Sequence, residues 1–156
     1  MSFAEGTTVS VEKSRAEIEK LITKYGATST AFMTAPGRAI VCFEANGRRI
    51  MFELKLPDRG EKRFLRDGRG SLMPQLKQIE KWEQACRQRW RALALVIKAK
   101  LEAVESGITT FEDEFLAHIV MPDGQTVATH IKPRIAEAYE GGKMLALMPP
   151  TTRTPQ

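Results

Sequence analysis

The chain has few of the side chains that most active sites and structural cross-links require. Among its 156 residues are two histidines, two cysteines and 7% aromatic residues. Cys42 and Cys86 form no metal-type cluster, so each is expected to be a buried, reduced thiol. No stretch approaches the ~20 apolar residues of a membrane span. The first residues lack the basic start and apolar core of a signal peptide, so we predict neither feature.

Recognisable catalytic motifs are also absent. No serine lies in a G-x-S-x-G elbow, and the glycines of residues 57–74 match neither a Walker motif nor a dinucleotide-binding motif. We therefore predict that the protein is not an enzyme and needs no cofactor. A less favoured alternative is a metal-dependent nuclease, because Glu114 and His118 are four residues apart and would share a helical face. Its ligands would come from Glu112, Asp113, Glu114 and His118. Asp123 or His130 would supply a further ligand by folding back onto this segment.

Charge is distributed unevenly, although the net charge is only +5. Residues 38–100 carry 16 basic and 7 acidic side chains, whereas residues 101–140 carry 2 basic and 8 acidic ones. A basic middle segment permits an anionic partner such as nucleic acid, a nucleotide or an acidic protein surface. The equally weighted alternative is that the acidic segment, mainly residues 102–114, packs against the basic one and satisfies it internally.

Composition and length predict a single α+β domain. With 42% hydrophobic and 28% charged residues, the chain resembles an ordinary soluble globular protein, and its length suits one domain. The domain is predicted to cover residues 11–147. A flexible arm at 1–10 precedes it and a disordered tail at 148–156 follows it.

An N-terminal helix and a three-stranded antiparallel meander are predicted first along the chain. Ser14 and Glu17 form a capping box at the start of a helix over 14–25, which Gly26 ends. Asn46-Gly47 is the strongest short hairpin signal, and the residues after it alternate between apolar and polar. The predicted strands cover residues 29–35, 38–45 and 48–56.

One long amphipathic helix is predicted over about 75–105. Apolar residues from Leu76 to Val104 recur there at steps of three and four. Trp82 and Trp90 share one face, which favours packing in the core or between subunits. The alternative is a stacking platform for bases beside Arg87, Arg89 and Arg91. Such a helix spans ~45 Å, against a radius of gyration of roughly 15 Å for the domain. We therefore expect a homodimer or higher homo-oligomer.

Two shorter helices are predicted after the long one. A short acidic helix covers about 110–117, and a short strand or extended piece follows at 118–121. The C-terminal helix begins at Thr126 or Thr129 and ends near 140. Pro133 within it indicates a start near 132 or a kink.

Residues 57–74 form a Gly- and Arg-rich loop without predicted structure. Loops of this length are usually functional or mobile, and guanidinium groups bind phosphates in a bidentate manner. The alternative is a solvated, mobile connection. The predicted phosphate contacts are this loop, the start of the third strand and the basic side of the long helix: Arg48, Arg49, Arg59, Lys62, Arg63, Arg66, Arg69, Arg87 and Arg91.

Two segments carry a resemblance to a known family. VSVEKSRAEIEKLITKYGA (9–27) and WRALALVIKAKLEAVESGITTFEDEFLAHIVMPDGQTV (90–127) resemble a family of small hypothetical proteins from tailed bacteriophages and prophages, over most of residues 9–147. The resemblance transfers no functional residues. It implies a phage accessory protein in the bacterial host cytoplasm. Such a protein serves phage nucleic-acid metabolism or, as the alternative, counters host defence by binding a defence protein or its nucleotide signal.

Overall fold

The computed structural model describes residues 4–144 and residue 146. Its helices and strands confirm the α+β class and the element order predicted from sequence. The predicted disordered tail at 148–156 lies outside the described residues. The elements are α1 (Val11–Lys24), β1 (Ser29–Ala35), β2 (Arg38–Ala45), β3 (Arg48–Lys55), α2 (Lys62–Leu65), α3 (Gln75–Glu105), α4 (Phe111–Phe115), a 3₁₀ turn (Leu116–His118) and α5 (Val127–Gly141).

The three strands form an antiparallel sheet in the order β1-β2-β3, as the meander prediction requires. Asn46 and Gly47 both have positive φ (51° and 70°), the conformation that lets a two-residue hairpin follow the twist of its strands. The register places Phe32, Val41 and Phe52 side by side across the sheet. These residues belong to the face that is turned toward the core.

Helices α1 and α3 supply the other side of the core. Their contacts advance together along both helices, from Arg15 over Trp90 to the hydrogen bond between Tyr25 and Glu102, so the two helices run parallel. Phe115 of α4 closes this core, with its ring edge-on to two phenylalanines of the sheet at 6.0 and 6.2 Å. The fully buried members include Ile18, Ile22, Val41, Phe43, Ile50, Ile97 and Phe115.

The start of α1 differs from the prediction. The N-cap is Ser10, whose hydroxyl oxygen accepts a hydrogen bond from the Lys13 amide at 3.2 Å. Ser14, predicted as the cap, lies one turn inside the helix and is fully buried. Its hydroxyl has no hydrogen-bond partner among the described residues. Both serines are suitable caps by residue type, and the packing of α1 on the core selects the earlier one. The predicted C-terminal stop, Gly26, has a φ of +98°.

The long helix is confirmed over Gln75–Glu105, but its apolar stripe begins later than predicted. Leu76 is 82% exposed, whereas Trp90, Leu93, Ile97 and Leu101 are buried. Residues 4–10, predicted as part of a flexible arm, run beside this helix. There Ala4 is buried and the carbonyl of Thr7 accepts a hydrogen bond from Gln84 at 2.9 Å.

The C-terminal elements follow the predicted order with shifted bounds. Thr110 caps α4 by accepting from the Asp113 amide, and residues 118–121 contribute only isolated bridges, including Ile50 with Ile119. Helix α5 begins after its cap, Thr126. A start near 132 is therefore wrong, and Pro133 lies inside a continuous helix. Within residues 4–144, no helix combines the length and apolar character that crossing a bilayer requires.

Candidate nucleic-acid interface

The segment predicted as a structureless loop is folded, and that prediction is wrong. Phe64 of α2 and Met73 are buried and anchor the segment beside the first turns of α3, which α2 contacts. The Met73 amide donates to the Leu65 carbonyl at 2.8 Å, and Arg66 pairs with Leu72 in an antiparallel bridge. Residues 59–73 therefore form a compact unit, here termed the basic hairpin.

A network of backbone hydrogen bonds fixes the tip of the basic hairpin. The Asp67 carboxylate accepts from the amides of Arg69 and Ser71, each at 2.9 Å, and Gly70 adopts a φ of +84°. Arg66 donates from Nη1 to the Gly70 carbonyl at 2.9 Å. The sequence D-G-R-G contains this signal, because Asp favours turns that close on its own side chain and Gly supplies positive φ. The tip thus fixes the guanidinium of Arg66 and the backbone of Arg69.

The cations of the basic hairpin differ in how far they are neutralised. Arg63 forms an ion pair with Glu61 at 2.7 Å and lies over the Phe64 ring. Within residues 4–144, Lys62, Arg66 and Arg69 have no ion-pair partner within 4 Å, the limit for such a contact. Residues 55–89 carry ten basic and five acidic side chains. Their net charge of +5 equals that of the whole chain, so positive charge is concentrated at this end of the molecule.

The two tryptophans are engaged within the chain. Trp82 donates from its indole nitrogen to the Pro57 carbonyl at 2.8 Å, and the Arg59 guanidinium lies 5.0 Å from its ring centroid. Trp90 is 2% exposed, with Arg15 over its ring. Trp90 is therefore too buried to stack on a base, and Arg59 covers one face of Trp82. These contacts fit the interpretation that both tryptophans serve packing. Arg59, a predicted phosphate contact, also packs over the Trp82 ring.

Four predicted phosphate contacts lie outside the basic hairpin and are engaged elsewhere. Arg48 pairs with Glu112 at 3.3 Å, and Arg49 pairs with Glu44 at 2.9 Å. Both arginines are at the opposite end of β3 from the basic hairpin, roughly 20 Å away at about 3.3 Å per residue. On α3, Arg87 donates to the Gln84 side chain and Arg91 pairs with Glu17 of α1.

The acidic segment neutralises only part of the basic charge. Glu112 contacts Arg48, and Glu114 contacts Lys100 at 3.1 Å. Among the described residues, no ion pair joins residues 102–114 to residues 59–69. The acidic segment therefore neutralises a cation at the start of β3 and one near the end of α3. It forms no ion pair with the described cations of the basic hairpin.

His118, His130 and Asp123, which were considered as metal ligands, make other contacts in the structure. His118 stacks on the Phe52 ring at 4.0 Å, and burial, followed by the charge of Lys100, lowers its pKa below the ordinary 6.5. His130 and Asp123 contact each other at 2.7 Å. Across the described part of the chain, no three His, Cys, Asp or Glu side chains gather closely enough to hold a metal ion.

Two open clefts lie away from the tip of the basic hairpin. One, of 480 Å³, is lined mainly by apolar side chains, including Trp82, Cys86 and Trp90. Burial raises the pKa of the Cys86 thiol, as does the nearby Glu83. The other, of 470 Å³, lies at the Asn46-Gly47 turn. Lys62, Arg66 and Arg69 line neither of these clefts, and all three are exposed.

No protein-family model, curated protein or solved structure matches the chain.

Proposed function

We propose that the protein is a phage accessory protein that binds nucleic acid in the host cytoplasm through the basic hairpin. The observation that carries this proposal is an ordered tip that presents exposed cations without ion-pair partners among the described residues. A backbone that is already fixed reduces the conformational entropy lost when its side chains bind phosphate. The phosphate contacts are Lys62, Arg66 and Arg69, with Arg59 and Arg63 beside them.

The shape of this surface favours a polymer over a single nucleotide. Small ligands are usually enclosed in concave, mostly apolar pockets, whereas these cations lie on an open surface. A nucleic acid presents a row of phosphates, and each neutralised phosphate releases counterions. Several separate, exposed cations suit that partner.

Fluorescence anisotropy with a labelled 20-base-pair duplex tests the proposal. We expect binding at low salt that weakens steeply as salt rises. The double variant Lys62→Ala/Arg69→Ala should reduce the slope of log affinity against log salt by about 1.8, at about 0.9 per lost phosphate contact. The matched control, Arg48→Ala/Arg49→Ala, removes the same charge at the other end of β3 and should leave the slope unchanged. Absence of binding at low salt, or equal losses in both variants, contradicts the proposal.

A further inference from the structure

Two leucines stand exposed beside the cations of the basic hairpin. Leu72 is 66% exposed and is the bridge partner of Arg66. Leu76, in the first turn of α3, is 82% exposed. Met73 between them points into the core. The basic hairpin therefore has an inner apolar side that anchors it and an outer side that combines leucine with arginine.

Among the described residues, no strongly exposed aromatic side chain lies in the basic hairpin. Phe64 is buried, and Trp82 is covered by Arg59. Among the described residues, Tyr139 of α5 is the one aromatic among the strongly exposed large apolar side chains. Proteins that hold single strands use exposed aromatic rings to stack the bases. Proteins that kink duplex DNA instead insert an apolar side chain, leucine among them, between base pairs and place arginines in the minor groove.

We propose that Leu72 is a wedge that enters a base-pair step of duplex DNA while Arg66 and Arg69 contact the minor groove or its flanking phosphates. This inference rests on the proposed function and names its partner as duplex DNA. The bridge between Arg66 and Leu72 places the wedge beside a cation, so insertion and phosphate contact occur together. Leu76 lies four residues further on and would cover the apolar edge of the opened step.

The experiment measures DNA bending and affinity together. A 20-base-pair duplex carrying a donor and an acceptor dye at its two ends is titrated with the protein at low salt. We expect energy transfer to rise as the duplex kinks, and we expect Leu72→Gln to abolish that rise while the salt slope is kept. Arg69→Ala should instead lower the slope by about 0.9. The unlabelled single strand should compete more weakly than the duplex.

Ile108→Gln is the matched control. Ile108 is also 82% exposed, but it lies after the C-terminus of α3, at the other end of that helix from Leu76. Exposed substitutions of this kind change stability little, which thermal unfolding of each variant verifies. The control should bend the duplex as the wild type does.

Each outcome separates the two proposals. If the wild type binds no duplex, the proposed function fails and the wedge fails with it. If it binds without bending, or if Leu72→Gln bends the duplex normally, the wedge alone is overturned. Tighter binding of the single strand also overturns it. A parallel titration with phosphatidylserine-containing vesicles covers a lipid partner: Leu72-dependent vesicle binding without DNA bending would assign the leucines to a membrane surface.

Discussion

Arg91 of α3 donates a hydrogen bond from its guanidinium to the Glu17 carboxylate of α1. The two side chains are only 21% and 32% exposed, respectively, because the parallel helices shield them. The pair lies on the basic side of α3, where Arg91 was predicted to contact phosphate. It joins the helices by a charged contact next to their apolar packing, and it commits Arg91 to the fold.

Breaking this pair should reduce stability without affecting DNA binding. Removing one partner of a buried pair costs 3–5 kcal/mol, and an exposed pair contributes ~1 kcal/mol or less. For this partly shielded pair we expect Arg91→Met or Glu17→Gln to cost about 1–2 kcal/mol. A double-mutant cycle by urea unfolding should give a coupling of about 1 kcal/mol. Zero coupling would contradict a stabilising Arg91–Glu17 contact, and a loss of DNA affinity in Arg91→Met would contradict the claim that Arg91 serves only the fold.

Ser10 and Ser14 should respond oppositely to alanine. Ser10→Ala removes the N-cap and should cost about 1 kcal/mol. Ser14→Ala removes a buried hydroxyl that lacks a hydrogen-bond partner among the described residues, and alanine is the better helix former. It should therefore be neutral or stabilising by up to about 1 kcal/mol. Chemical denaturation of both variants distinguishes them. The reverse order would mean that the helix begins at Ser14.

Phe64→Ala should release the basic hairpin from α3. A buried phenylalanine replaced by alanine typically costs 3–5 kcal/mol, but this side chain anchors a local segment, so much of the loss should appear as local opening. Hydrogen exchange should accelerate at the Met73 amide, which bonds to Leu65, and less in the sheet. DNA affinity should fall, because the cations lose their fixed positions. Uniform acceleration across the chain would argue against a separable unit.

His118 should make stability depend on pH below about 6.5. Its folded-state pKa is lowered by burial and by Lys100, so the unfolded chain takes up the proton at a higher pH than the folded protein does. Stability from this group is therefore intact above the unfolded pKa of 6.5 and declines as pH falls toward the folded pKa. His118→Phe keeps a ring against Phe52 and removes the titration. Urea unfolding at pH 7.5 and 5.5 should show a smaller decline in the variant, and an equal decline would refute the assignment.

Local patterns were sufficient for the regular elements. The bounds of α3 follow from an apolar periodicity that continues over the length of the helix. The β2–β3 hairpin follows from Asn46-Gly47. Both patterns lie within short stretches of sequence, so they can be recognised without knowing the tertiary structure. Prediction failed where a distant contact decides the outcome. The basic hairpin folds because Phe64 and Met73 find burial beside α3, and no periodicity within residues 57–74 shows that.

The α+β class, the order of the elements and the basic character of residues 38–100 can all be read from the sequence. Which cations are neutralised depends instead on contacts between residues that are far apart in the chain. Arg48 meets Glu112 across 64 positions, and Arg91 meets Glu17 across 74. Such pairs depend on how the sheet and helices pack, and charges can meet only where packed elements bring them within a few ångströms. In that packing Lys62, Arg66 and Arg69 have no ion-pair partner within 4 Å among the described residues, and Leu72 lies exposed beside them.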